Sequence, residues 1–146
     1  MLIGLATKDK EGRRPTIIKN LLKLLVALPA VLFVVIGVRW LVAPANVAPE
    51  FGLTPAQGLG LSTQVGDLAS FFLTLGSCML IAVISERRAW FYPPMMLLGV
   101  AALGRILAWL LHDAALAVSQ IAVEVLVALL LLLGSRRIPP AKASAS

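Results

Sequence analysis

The sequence has 146 residues, of which 60% are hydrophobic and 14% are charged, with a formal net charge of +6. Soluble domains contain roughly 45–50% apolar and about 25% charged residues, so a soluble protein of this composition would expose large apolar patches. One cysteine and one histidine exclude an intramolecular disulfide and zinc sites built from these residues. The composition therefore favours a membrane protein, and we expect neither a cofactor nor a metal site.

Four apolar segments are each long enough to cross a bilayer as a helix, which takes about 20 residues. In chain order they are residues 21–42, 65–84, 89–111 and 114–135. A proline- and glycine-rich stretch connects the first two segments, and tight turns at 85–88 and 112–113 connect the others. The pattern predicts an all-α fold, a four-helix transmembrane up-down bundle over residues 21–135. We expect residues 1–20 to be a basic cytoplasmic segment and residues 136–146 to be a disordered basic and polar tail.

The basic residues lie almost entirely on one side of this predicted bundle. All of them except Arg39 and Arg105 fall near the two chain ends or in the turn between the second and third segments. Because cytoplasmic loops carry an excess of Lys and Arg, we expect both termini to be cytoplasmic and the long first loop to be on the outer side. The same bias accounts for the positive net charge, so we expect membrane lipid as a partner and no nucleic acid.

Three ionisable residues fall within the last three predicted helices: Asp67, Arg105 and Glu124. At about 1.5 Å per residue, Asp67 would lie just below the outer surface, Arg105 about 10 Å and Glu124 about 15 Å below it. A charge that faces lipid costs about 2.5–3.5 kcal/mol, so these side chains should face inward and pair. We expect Arg105 to bridge Asp67 and Glu124 in a narrow polar cavity that opens toward the outer side.

Helical spacing adds further polar and small residues to this region. One face of the second helix carries polar residues at steps of three and four: Asp67, Ser70, Thr74 and Ser77. We expect this face to be directed into the bundle. On the fourth helix Gln120 lies one turn before Glu124, and on the third helix Gly99 and Gly104 predict a close approach of neighbouring backbones.

The leading hypothesis is that the cavity binds a small or lipid-like ligand, or a partner helix. Arg105 would hold an anionic or carbonyl group, and Asp67 and Glu124 would orient its guanidinium. Ser70 and Gln120 would complete the set of ligand-binding polar groups. The apolar walls would come from three aromatic residues, Trp109, Phe71 and Phe72.

Other functions are compatible with the same charges. Buried ion pairs often fix helix register without binding a ligand, and the chain would then be an accessory or structural subunit of a larger membrane complex, or a homo-oligomer. A proton-coupled small-molecule transporter would use one membrane carboxylate, but Arg105 would repel a cationic substrate. Lipid isomerisation would need two carboxyl groups of different pKa. No Walker-type, GxSxG or HExxH motif occurs, and we assign no catalytic residue.

Short motifs along the chain carry a resemblance to a known family. They are Leu41-Val42-Ala43-Pro44 before a Gly-Leu loop, then Gly66-Asp67, then Gly104-Arg105, and a late Glu124. Over residues 21–134 this arrangement resembles small four-helix bacterial membrane proteins of the DoxX-like kind. The resemblance implies a bacterial inner-membrane bundle with Asp67, Arg105 and Glu124 at matching polar positions. The DoxX-like group is associated with redox or stress-response membrane complexes, but this chain lacks the paired cysteines that thiol redox chemistry needs.

Overall fold

A computed structural model of the chain describes residues 3–137, and the side chains of residues 16–137. This part of the chain forms five α-helices and two 3-10 turns and contains no strand. The helices are α1 (Ile3–Val42), α2 (Pro44–Val47), α3 (Gly58–Ser85), α4 (Tyr92–Leu111) and α5 (Val118–Arg137), and the 3-10 turns are Ala48–Phe51 and Arg88–Phe91. Four segments are long and apolar enough to cross a membrane: Thr16–Val42, Gly58–Ser85, Arg88–Leu111 and Val118–Arg137. The predicted all-α fold with four spans is confirmed.

Two helices are longer than the hydropathy pattern predicts. The described residues of the predicted basic segment, 3–20, continue directly into α1. α3 begins at Gly58 rather than at residue 65, and the Gln64 side chain holds the preceding loop against its first turns. This side chain accepts a hydrogen bond from the Ala56 backbone N–H and donates one to the Thr54 carbonyl, both at 3.2 Å. The first turns of α3 are therefore helical, and the candidate span begins at Gly58 with the helix itself.

α5 begins later than predicted, at Val118. Asp113 has a backbone φ of 53°, in the left-handed region that interrupts an α-helix. Residues 113–117 consequently form an irregular connection instead of the first turn of α5. The helix ends with Arg136 and Arg137, and residues 138–146, the rest of the predicted tail, lie outside the described residues.

The four long helices run alternately in opposite directions and give the bundle two distinct ends. We call the end where α1 begins its span, α3 meets α4 and α5 stops the basic end, after its side chains Lys19, Lys23, Arg87, Arg88, Arg136 and Arg137. We call the opposite end, which holds the connections 43–57 and 112–117, the loop end.

Side-chain contacts connect the helices to one another at the basic end. The Lys19 Nζ donates a hydrogen bond to the Glu86 carboxylate at 2.7 Å, and Lys23 Nζ donates to the second carboxylate oxygen. Phe91 is wholly buried, and a Cβ on Gly134 would lie 2.8 Å from its ring. These contacts link α1, the connection between α3 and α4, and the last turn of α5.

α1 and α3 pack closely through glycines that the sequence pattern does not single out. A Cβ on Gly76 would lie 2.6 Å from the Ala30 carbonyl oxygen, and a Cβ on Gly37 would lie 2.7 Å from the Leu73 side chain of α3. A Cβ on Gly99 or Gly104 would meet nothing within 4 Å. The prediction of close backbone packing at Gly99 and Gly104 is therefore wrong, because α4 is the more loosely surrounded helix at those positions.

Candidate functional site

Arg105 of α4 and Glu124 of α5 form an ion pair between adjacent helices. The Arg105 Nε–H donates to Glu124 Oε1 at 2.8 Å. Both residues lie about 9 Å along their helices from the loop end, at about 1.5 Å per residue. Antiparallel neighbours therefore present them at the same level, and the predicted contact between Arg105 and Glu124 is confirmed. Because α5 begins later than predicted, Glu124 lies about 9 Å from the loop end instead of the predicted distance of about 15 Å.

Asp67 does not take part in this ion pair. Its side chain is exposed on α3, and it forms no salt bridge with any residue of the described range. The predicted bridge from Arg105 to two carboxylates is therefore wrong for Asp67. The polar centre of the bundle is a pair and not a triad.

The predicted polar face of α3 is turned away from the bundle. Its members are all exposed: Asp67, Ser70, Thr74 and Ser77. α3 packs on α1 through another face, where Phe72, Gly76 and Met79 are buried. The Ser70 hydroxyl donates to the Asp67 carbonyl at 3.0 Å, so it does not need a partner on another helix. The expectation that this face, which we call the α3 polar face, is directed inward is wrong.

Glu124 is the most deeply buried ionisable residue near the loop end. It is 7% exposed, whereas the Arg105 side chain keeps 37% of its surface accessible. One carboxylate oxygen, Oε1, accepts the hydrogen bond from Arg105, and the other, Oε2, is buried with no hydrogen-bond partner among the described residues. A buried acceptor without a donor costs about 1–3 kcal/mol, so Glu124 Oε2 is a site at which an added donor would be favourable.

A cavity of about 340 Å³ lies beside the ion pair and reaches all four spanning helices. Its polar lining comes from α4, α5 and the first 3-10 turn: Arg105, Ser119, Gln120, Glu124 and Glu50. Its apolar lining comes mainly from α1 and α3: Leu32, Phe33, Ile36, Phe71, Phe72, Leu75, Phe51, Leu98 and Val123. The cavity therefore has one polar wall and one apolar wall, as small-molecule sites commonly do.

Aromatic rings form much of the apolar wall. The Phe72 ring centroid lies 6.0 Å from that of Phe33, 5.3 Å from that of Phe51 and 5.2 Å from that of Phe71. The structure thus places Phe71 and Phe72 in the lining as predicted. Phe33 and Phe51 were not predicted, because a single phenylalanine in an apolar segment or in a loop carries no periodic signal.

The first 3-10 turn contributes Glu50 and Phe51 to the cavity lining at the loop end. Arg39 donates to both carboxylate oxygens of Glu50, and this ion pair lowers the pKa of Glu50 below its ordinary value, mainly through the hydrogen bond from Arg39. The adjacent Phe51 ring packs between Phe72 and the buried Trp40, whose centroid is 5.9 Å away. The Arg39–Glu50 ion pair therefore helps to hold the neighbouring Phe51 ring in the cavity lining.

The remaining predicted ligand-binding residues divide into two groups. Gln120 lines the cavity, and its side-chain oxygen accepts a hydrogen bond from the neighbouring Ser119 hydroxyl at 3.0 Å. Trp109 and Ser70 do not line the cavity, and Trp109 is 46% exposed on the outside of α4. Over the described residues, no group of three or more His, Cys, Asp or Glu side chains is placed to hold a metal ion.

Comparison with known proteins gives no relative from which a role for these residues could be inferred. The chain matches no protein-family model, no curated protein and no solved structure.

Proposed function

We propose that this chain is a multi-pass protein of the bacterial inner membrane that binds a small or lipid-like molecule in the cavity beside Arg105 and Glu124. The observation that carries the proposal is the combination of a 340 Å³ space, an ion pair with a buried carboxylate on one wall and aromatic rings on the other. A pair that served packing alone would be expected to have its acceptors satisfied. Glu124 Oε2 instead has no partner among the described residues, and the residue that carries it lines the cavity.

Each wall of the cavity has a definite role in this proposal. The Arg105 Nε–H is committed to Glu124, and the other guanidinium N–H groups are free of hydrogen bonds to described residues, so they can hold a carbonyl or hydroxyl oxygen. The apolar part of the ligand would lie against Phe33 and Phe72, where burial of apolar surface contributes about 25 cal/mol per Å². Arg105 acts here as a binding residue, with no catalytic step.

The orientation of the protein follows from its charge asymmetry. Exposed arginines at the basic end, such as Arg87 and Arg136, would face the cytoplasm, as the excess of basic residues in cytoplasmic loops requires. The cavity would then lie in the outer half of the bilayer, with the Glu50 turn on its periplasmic side. A DoxX-like assignment agrees with this orientation and with the four-helix plan.

A binding role is tested by blocking the cavity and identifying what co-purifies with the protein. Val123→Trp adds an indole at a half-exposed position that lines the cavity, and Val125→Trp makes the same change at a similarly exposed position of α5 outside the lining. Each protein is purified in mild detergent, and the extracted molecules are identified by mass spectrometry. We expect one class of small lipophile with the wild type and with Val125→Trp, and its loss from Val123→Trp. The same molecules in all three preparations, or none in any, would overturn the proposal.

A second candidate function is that of an accessory subunit in a membrane complex. The α3 polar face favours it, because hydroxyl groups and a carboxylate on the outside of a spanning helix are common at helix–helix contacts in membranes. A partner helix would cover this face without using the cavity. In that case Ser77→Trp would release the partner, while Val123→Trp would leave the complex intact.

A further inference from the structure

The polar wall of the cavity offers both kinds of hydrogen-bonding group to an occupant. Glu124 Oε2 is a buried acceptor without a donor. Arg105 supplies guanidinium N–H donors that Glu124 does not use. The Gln120 side-chain oxygen already accepts a hydrogen bond from Ser119. The residues of this wall therefore leave Glu124 Oε2 without a donor and Arg105 N–H groups without an acceptor. An occupant that satisfies the wall must donate one hydrogen bond and accept another.

The charges of the wall balance within the protein. Arg105 is paired with Glu124, and the second acid of the lining, Glu50, is paired with Arg39. A charged occupant would therefore bring an uncompensated charge into a site bounded largely by aromatic and aliphatic side chains, which is costly in a low-dielectric environment. A neutral occupant avoids this cost.

The size of the cavity limits the apolar part of the occupant. A volume of about 340 Å³ lies at the low end of the range of about 300–1,000 Å³ found for small-molecule sites. Such a space fits one hydrocarbon chain of moderate length or one ring system, and it is too small for a phospholipid with two acyl chains.

Resting on the binding role proposed above, we infer that the ligand is a neutral single-chain amphiphile whose polar end both donates and accepts a hydrogen bond, as a primary amide or a hydroxyl group does. Its donor satisfies Glu124 Oε2, and its acceptor takes an Arg105 N–H. Its hydrocarbon part lies along the aromatic wall near Phe72.

A pair of synthetic amides tests this inference directly. Decanamide has N–H donors, whereas N,N-dimethyldecanamide keeps the carbonyl acceptor and lacks a donor. Binding of each is measured by native mass spectrometry on the full chain. We expect decanamide to bind the wild type about tenfold more tightly, because a hydrogen bond to a charged group is strong. Decanoate, ionised at neutral pH, should bind more weakly than decanamide.

The variant Glu124→Gln distinguishes hydrogen bonding from size. Its amide oxygen can still accept from Arg105, which places an NH2 donor where Oε2 stood. The preference for decanamide should then disappear, while N,N-dimethyldecanamide binding is retained, which also shows that the variant is folded.

Two different failures can be told apart. If both amides bind the wild type equally and Val123→Trp abolishes both, the cavity binds lipophiles but the inferred hydrogen-bond pattern is wrong. Tighter binding of decanoate than of decanamide would likewise overturn the inferred neutrality. If neither amide binds while a lipophile still co-purifies with the wild type and is lost from Val123→Trp, the inferred ligand class is wrong and the binding role stands. If Val123→Trp changes neither amide binding nor the co-purifying molecules, the proposed binding role itself fails.

Discussion

At the scale of single residues, burial decides what the Arg105–Glu124 pair contributes. Glu124 is almost fully enclosed, while Arg105 keeps about a third of its side-chain surface accessible. Replacing Arg105 alone by leucine would leave an enclosed carboxylate without its cation. Replacing both Arg105 and Glu124 by leucine would put two apolar side chains in contact. The single change is therefore expected to cost more stability than the double change.

We predict that Arg105→Leu lowers the free energy of unfolding by about 2–3 kcal/mol. This value is below the 3–5 kcal/mol typical of fully buried pairs, since Arg105 is partly accessible. The double variant Arg105→Leu, Glu124→Leu should recover most of the loss. Thermal unfolding in detergent measures both. A double variant as unstable as the single one would show that Glu124 is not destabilised by losing its partner.

Glu86 at the basic end gives a stability that depends on pH. The hydrogen bonds from Lys19 and then Lys23 hold the pKa of Glu86 below its ordinary value of 4.5. Because the folded-state pKa is the lower one, the stabilisation is complete above about pH 4.5 and is lost as the pH falls through the folded-state value. Protonation of Glu86 therefore releases the contact between α1 and the α3–α4 connection.

We predict that Glu86→Gln costs about 1 kcal/mol at neutral pH, as expected for partly exposed ion pairs, and that its difference from the wild type shrinks as the pH falls below the ordinary pKa of 4.5. Melting temperatures measured across this range give the result. Asp113→Asn is the control, because Asp113 is exposed and has no salt bridge within the described part of the chain. A Glu86→Gln deficit that persists unchanged at low pH would contradict the assignment.

At the scale of helices, the contact between α1 and α3 depends on the absence of side chains at two positions. The Gly76 backbone approaches the Ala30 carbonyl so closely that a methyl group would overlap it. This contact explains why α3 turns its small and apolar face inward and its hydroxyl groups outward. In hydrocarbon, close van der Waals packing competes well with burial of hydroxyls, and the Ser70 hydroxyl is already bonded to its own helix.

We predict that Gly76→Ala destabilises the protein by about 1–3 kcal/mol, the usual cost of overpacking. Gly99→Ala makes the same change in α4, where a Cβ meets nothing within 4 Å, and should be neutral or slightly stabilising. The comparison is made by thermal unfolding of both variants under one set of conditions. Equal destabilisation by the two substitutions would mean that the α1–α3 contact is not tight.

At the scale of the whole molecule, the hydropathy pattern predicted the number of spanning helices correctly. It did not predict which face of each helix is directed into the bundle. Apolar segments of spanning length must be helical in hydrocarbon, which makes the four spans predictable. The contact of Arg105 with Glu124 was also predictable, because opposite charges within neighbouring spans avoid lipid by pairing, although their common level depends on the late start of α5. Asp67 was not placed correctly, because spacing identifies a face of a helix but not which neighbour that face meets. Glu50 was missed because its position depends on a fold-back of the loop onto Arg39.

The central claim is that the space between Arg105, Glu124 and the aromatic wall is a binding site. An experimental density map of the protein isolated from its own membrane tests this most directly. We expect continuous density within hydrogen-bonding distance of Glu124 Oε2 that extends along Phe72. Direct contact of α5 with α1 and α3 across that space, with Glu124 turned toward lipid, would contradict the claim.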